Sequence, residues 1–124
     1  MFSVRRREYT ASELSRLGDI VGQRPARLAA HVSNGPWYGF NGIQALVLTN
    51  EAVYRVQQGW ALLPDRVIDK YLLSDISEPR WTSSRAGRTG RISFNVASAR
   101  HSYASKWQEA ADLALALERI VSAS

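Results

Sequence analysis

RISFNV, residues 91–96, carries the cleanest two-residue period in the chain: Ile92, Phe94 and Val96 alternate with Arg91, Ser93 and Asn95. Such alternation predicts an antiparallel strand with one buried and one wet face. ARHSYAS, directly after it, reads as the partner strand. Upstream, ALVLTNEAVYRV (45–56) reads as two strands about a polar turn. Leu46 and Leu48 alternate on the first strand, Ala52, Tyr54 and Val56 on the second, and Thr49, Asn50 and Glu51 form the turn. ARLAAHVSN (26–34) is a further strand candidate whose alanines blur the pattern. RVIDKYLLSDISEPRWTSS adds one or two strands, with Val67, Ile68, Tyr71, Leu72, Leu73 and Ile76 as core candidates.

Helical spacing appears at both ends. In TASELSRLGDIVG (10–22) the spacing of Thr10 and Glu13 fits a capping box, Leu14, Leu17, Ile20 and Val21 form one apolar stripe, and Gly22 is a natural stop. In SKWQEAADLALALERIVSAS, Ser105 and Gln108 repeat the capping-box spacing. Trp107, Ala110, Leu113, Ala114, Leu117, Ile120 and Val121 then share one face, opposite Asp112 and Arg119. Between the elements, NGPWYGFNG (34–42) and QQGWALLPDR are connections rich in turn-forming residues, and SSRAGRTGR is a charged turn.

Composition narrows the possibilities. A chain of 124 residues is one domain's worth. The absence of cysteine removes disulfides, zinc thiolates and cysteine nucleophiles. No apolar run suits a signal peptide or a membrane span, so the expected location is cytoplasmic. The net charge of +5 is uneven: from Pro79 to Lys106 there are Arg80, Arg85, Arg88, Arg91, Arg100 and Lys106 and no acidic residue. A local excess of this kind favours an anionic partner, with a solvated strand face as the alternative.

The order of a helix, about seven short strands and a closing amphipathic helix fits a small antiparallel barrel. ALVLTNEAVYRV is similar to a strand–LT(D/N)–strand hairpin, KYLLSDISE to an aliphatic strand leading into an Asp-Ile step, and RISFNV with the Trp107 helix to a closing strand and plug. Together these segments resemble the pleckstrin-homology-like superfold, in particular the bacterial PH and GRAM-like domains, over residues 27–121. The resemblance implies an α+β fold in a single domain, with a barrel of strands over 27–105 and a plug helix at 106–121; the N-terminal helix at 10–22 is outside the common pattern and is this chain's own addition or a subfamily feature. The resemblance also implies that the hairpin is scaffold and that function sits in the loops.

Candidate chemistry is sparse. His31 and His101 lack the paired spacing of a metal site, and Asp65 and Asp69 have no third ligand. GRTGR lacks the Lys-Ser/Thr ending of a phosphate loop. The expectation is therefore a non-enzyme with no cofactor, no metal and no small-molecule substrate. Arg80, Trp81, Arg85, Arg88 and Arg91 form the best candidate anion or partner site, because arginine forks suit phosphate and glycines expose backbone amides. Trp37, Tyr38 and Phe40 form a candidate aromatic loop contact. The leading expectation is an interaction module for a protein or peptide partner, or for a second copy of itself. The alternative is an anionic phospholipid surface or nucleic acid bound through Arg80 to Lys106. Phe94 alternates inward, which ranks nucleic acid below the others.

Overall fold

The computed structural model describes residues 11–22, 26–33, 44–57, 64–83 and 89–123. Two helices, α1 (Ala11–Ile20) and α2 (Trp107–Ala123), flank seven strands: β1 (Leu28–Ser33), β2 (Gln44–Leu48), β3 (Ala52–Gln57), β4 (Arg66–Leu72), β5 (Ile76–Ser83), β6 (Thr89–Val96) and β7 (Ala99–Lys106). The strands form one antiparallel sheet in the order β4-β3-β2-β1-β7-β6-β5.

The sheet is open, since β4 and β5 are its two edges and do not pair. It is nevertheless rolled. A flat sheet would hold its outer strands about 29 Å apart, six steps of roughly 4.8 Å. Here they are consecutive in the chain, joined only by the 3₁₀ turn Leu73–Asp75, and three residues reach about 10 Å. Two hairpins meet that corner: the Leu73 N–H donates to the Glu51 carbonyl, and the Ala97 N–H donates to the Asp75 carbonyl.

Two apolar layers follow from the roll. Inside, Ala110, Leu113, Ala114 and Leu117 of α2 pack against Leu46, Leu48, Val53, Ile92 and Phe94. Leu117 is fully buried, as its place in the helical stripe requires. Trp107 is only partly buried and stacks on Trp81 with ring centroids 6.2 Å apart. On the outer surface of the first three strands, Leu17 and Val21 cover Ala29, Ala45, Val47, Ala52, Tyr54 and Val56. The hairpin is therefore buried on both faces. Ala52, Tyr54 and Val56 do not line the inside with Leu46 and Leu48, because adjoining paired residues share a face and Tyr54 pairs with Val47.

Local sequence explains the corners. Gly22 ends the first helical segment with φ +77°, the left-handed conformation that glycine adopts without penalty. At the β2–β3 turn the buried Thr49 hydroxyl accepts from the N–H groups of Glu51 and Ala52, at 3.3 and 3.2 Å. That bonding explains a threonine in the hairpin: its side chain satisfies the turn's amides.

Some sequence expectations change. Ser105 is not a helix cap: it is a buried residue of β7 whose hydroxyl donates to the His31 carbonyl at 2.7 Å. Val67 and Leu72 are 40% and 43% exposed rather than core, because β4 is an edge strand with no neighbour beyond it. The capping box of Thr10 and Glu13 lies outside what the structure describes.

Candidate functional site

The wet faces of β5, β6 and β7 form one polar surface. Cross-strand pairing sets Arg80 opposite Ser93, Thr82 opposite Arg91, and Ser93 opposite Ser102. The next pairs along β6 and β7 are Asn95 with Arg100 and Thr89 with Lys106. Opposed residues project to the same side, so Arg80, Arg91, Arg100 and Lys106 share this face. Glu78 is the acidic residue there among the described residues.

Neutral polar groups hold two of these arginines in place. Arg91 Nε donates to Ser102 Oγ at 3.0 Å. Arg100 donates to Ser93 Oγ at 2.8 Å, to Asn95 Oδ1 at 3.1 Å and to the Glu78 carbonyl at 3.0 Å. None of these bonds cancels a positive charge. The Glu78 carboxylate accepts from Asn95 Nδ2 at 3.0 Å. Glu78 itself is bulged out of the ladder, with φ +50° and a register shift between Ser77 and Arg80.

Of the residues singled out in the sequence, Arg80 and Arg91 come together on this face. Trp81 does not join them: it pairs with the buried Ile92 and turns to the α2 side, against Trp107. Gly90 presents no open backbone to an anion. A methyl group on it would sit 2.3 Å from the Thr82 carbonyl oxygen and 3.0 Å from Trp107 Cα, so this glycine admits the start of α2. Arg85, Arg88, Trp37, Tyr38 and Phe40 lie outside the described residues.

Two arrangements carry no plain sequence signal. The first is the seam between β1 and β7, where the pairs among the described residues are Val32–Ser105 and Ser33–Ala104. Beside it the buried Glu109 of α2 accepts from the His31 amide at 3.3 Å and meets His31 Nδ1 at 3.0 Å, while Ser105 satisfies the His31 carbonyl. Side chains there replace missing ladder bonds.

The second is an open cavity of about 300 Å³ at the mouth of the roll, lined by Arg55, Asp69, Tyr71, His101 and Tyr103 and, from the outward phase of β7, by Arg100 and Ser102. Arg55 and Asp69 form an ion pair at 2.5 Å, and the hydroxyls of Tyr71 and Tyr103 lie 2.5 Å apart. Burial pushes both phenols above their ordinary pKa, Tyr71 well above it with the Tyr103 hydrogen bond adding to the rise. In the sequence Arg55 is only a cation within the second strand of the hairpin; that it shares a face with Val53 inside the roll is set by the register.

No family model, curated protein or solved structure matches this chain. Among the described residues no cluster of three or more metal-ligating side chains occurs, and no helix is long and apolar enough to cross a membrane.

Proposed function

We propose that this chain is a non-catalytic, PH-like recognition module that holds an acidic protein surface against the outer face of β5–β7. The observation that carries the reading is the gathering of Arg80, Arg91, Arg100 and Lys106 on one side of three paired strands, with Glu78 the acid beside them. The strand order, the rolled sheet and the C-terminal helix against its inner face support the PH-like assignment, with the roll taken as an incompletely closed barrel.

Protein is favoured over the other anionic partners by the chemistry of the face. Arginine forks take carboxylate and phosphate alike, so the choice among anionic partners rests on what surrounds the arginines. The serine and asparagine contacts pre-order Arg91 and Arg100, which lowers the entropy cost of engaging a partner. The apolar contribution of β7 to this side is the buried Ala104, which offers nothing to insert among lipid chains. Among the described residues, Phe94 and Tyr103 face inward and Trp81 turns to the α2 side, so this face presents no aromatic platform for stacked bases.

The test replaces Arg80, Arg91 and Lys106 by Ser together and leaves Arg100, which braces the Glu78 bulge. Unfolding free energy should stay within about 0.5 kcal/mol of the parent. Capture of acidic proteins should fall, and the parent's binding should weaken as salt rises. Liposomes of anionic phospholipid and single-stranded nucleic acid serve as parallel arms. Loss confined to either of those arms would reassign the partner, and unchanged binding in all arms would end the proposal.

A further inference from the structure

The cavity at the mouth of the roll uses residues that the basic face does not. Arg55 occupies an inward position of β3 with its side chain only 15% exposed. A guanidinium so placed is costly unless its donors are used. Asp69 takes one terminal nitrogen, and the Tyr103 ring lies 5.7 Å from the guanidinium carbon. The Nε–H is buried without a hydrogen-bond partner. The phenol pair holds a second unused donor, because one hydroxyl donates to the other and the acceptor keeps its own hydrogen. Both phenols stay protonated at neutral pH, since burial disfavours the phenolate.

We infer that this cavity binds a small monocarboxylate bearing a flat ring, with the carboxylate between Arg55 Nε–H and the free phenolic hydrogen and the ring beside Tyr71 and His101. Charge selects the monoanion. Arg55 and Asp69 offset one another at the cavity, which leaves two hydrogen-bond donors and no surplus positive charge, too little for a dianionic phosphate that must also approach the Asp69 carboxylate. Size selects a compact ligand, because about 300 Å³ is at the lower end of small-molecule sites. The ring is matched by the Tyr71 and His101 rings, whose centroids are 4.8 Å apart and tilted by 45°. The same carboxylate can come from a free aromatic acid or from the C-terminal residue of a peptide.

The experiment is an amide NMR titration of the whole chain with benzoate, inorganic phosphate, and a peptide ending in Phe with its C-terminus free or amidated. Benzoate or the free-ended peptide should shift the amides of Arg55, Tyr71 and Tyr103, and phosphate should not. Stronger binding of the free-ended peptide than of benzoate identifies a chain end as the source, and the reverse identifies a free acid. Arg55→Met should weaken binding at least about tenfold, and Tyr103→Phe about three- to tenfold. Asp69→Asn should tighten it by removing the like charge, a gain that a merely structural role would not produce. If Arg55→Met does not fold, Tyr103→Phe and Asp69→Asn decide. No shift at millimolar carboxylate, equal binding of phosphate, or identical affinity in those two variants would overturn the assignment.

Discussion

The first three strands and the last three are built on different plans. In β2, Ala45, Leu46, Val47 and Leu48 are all at most 1% exposed, because α2 covers one face and α1 the other. In β6, Ile92 and Phe94 are fully buried, while Arg91, Ser93 and Asn95 between them keep partial access to water. A strand enclosed on both sides is constrained by packing at every position. One enclosed on a single side has a second face free to carry charge. The basic surface therefore lies on the half of the sheet that α1 leaves uncovered.

The contrast breaks first under core truncation. Phe94→Ala should cost about 3–5 kcal/mol, since it empties the layer shared by both halves. Leu17→Ala, equally buried in the outer layer, should cost about 2–3 kcal/mol and loosen α1 while the sheet survives. Urea unfolding with hydrogen exchange separates the two. Equal costs, with protection lost across β6 and β7 in both variants, would make the outer layer as integral as the inner one.

Gly90→Ala sharpens the same contrast from the other half. A methyl group would collide with the Thr82 carbonyl and the start of α2, so a loss of about 1–3 kcal/mol is expected in thermal or urea unfolding. A neutral result would show that α2 can shift away from β6 at no cost.

The smallest effect is alkaline. The fold prefers the protonated forms of Tyr71 and Tyr103. Their contribution is therefore complete below the unfolded-state pKa of about 10 and is lost as pH rises through the raised folded-state values. Stability should fall above pH of about 10, by at most about 1.4 kcal/mol per pH unit for each phenol. Tyr71→Phe should flatten that slope in denaturant midpoints taken across the range.

Regular periods made α2 and β6 legible, because the burial of each follows its own local repeat, whereas the hairpin was marked by its polar turn and is buried on both faces. The face assignment in β3 was not legible: with Ala52, Val53, Tyr54 and Val56 all apolar, the sequence does not say which phase meets α2. Ser105 misleads because capping-box spacing ignores the possibility that the serine is still in a strand. Glu109 looks like an ordinary first-turn acid until β1 and β7 separate beside it. The cavity joins Arg55, Asp69, Tyr71 and Tyr103 from three strands, and only the curl of the sheet brings those positions together. The basic stretch was visible as charge, yet its geometry required cross-strand register, which turned Trp81 away from Arg80.

The bulge at Glu78 bears on what the molecule avoids. β5 is an edge of the sheet, and an exposed edge invites another chain to add a strand. Pro79 has no N–H to offer, and Glu78 departs from extended geometry just before it. The break interrupts the row of outward amides midway along the edge, so a second chain finds no continuous template there. Pulling Glu78 out of line thus breaks the edge of the same half of the sheet that carries the exposed arginines, leaving its face open while discouraging runaway stacking along its side.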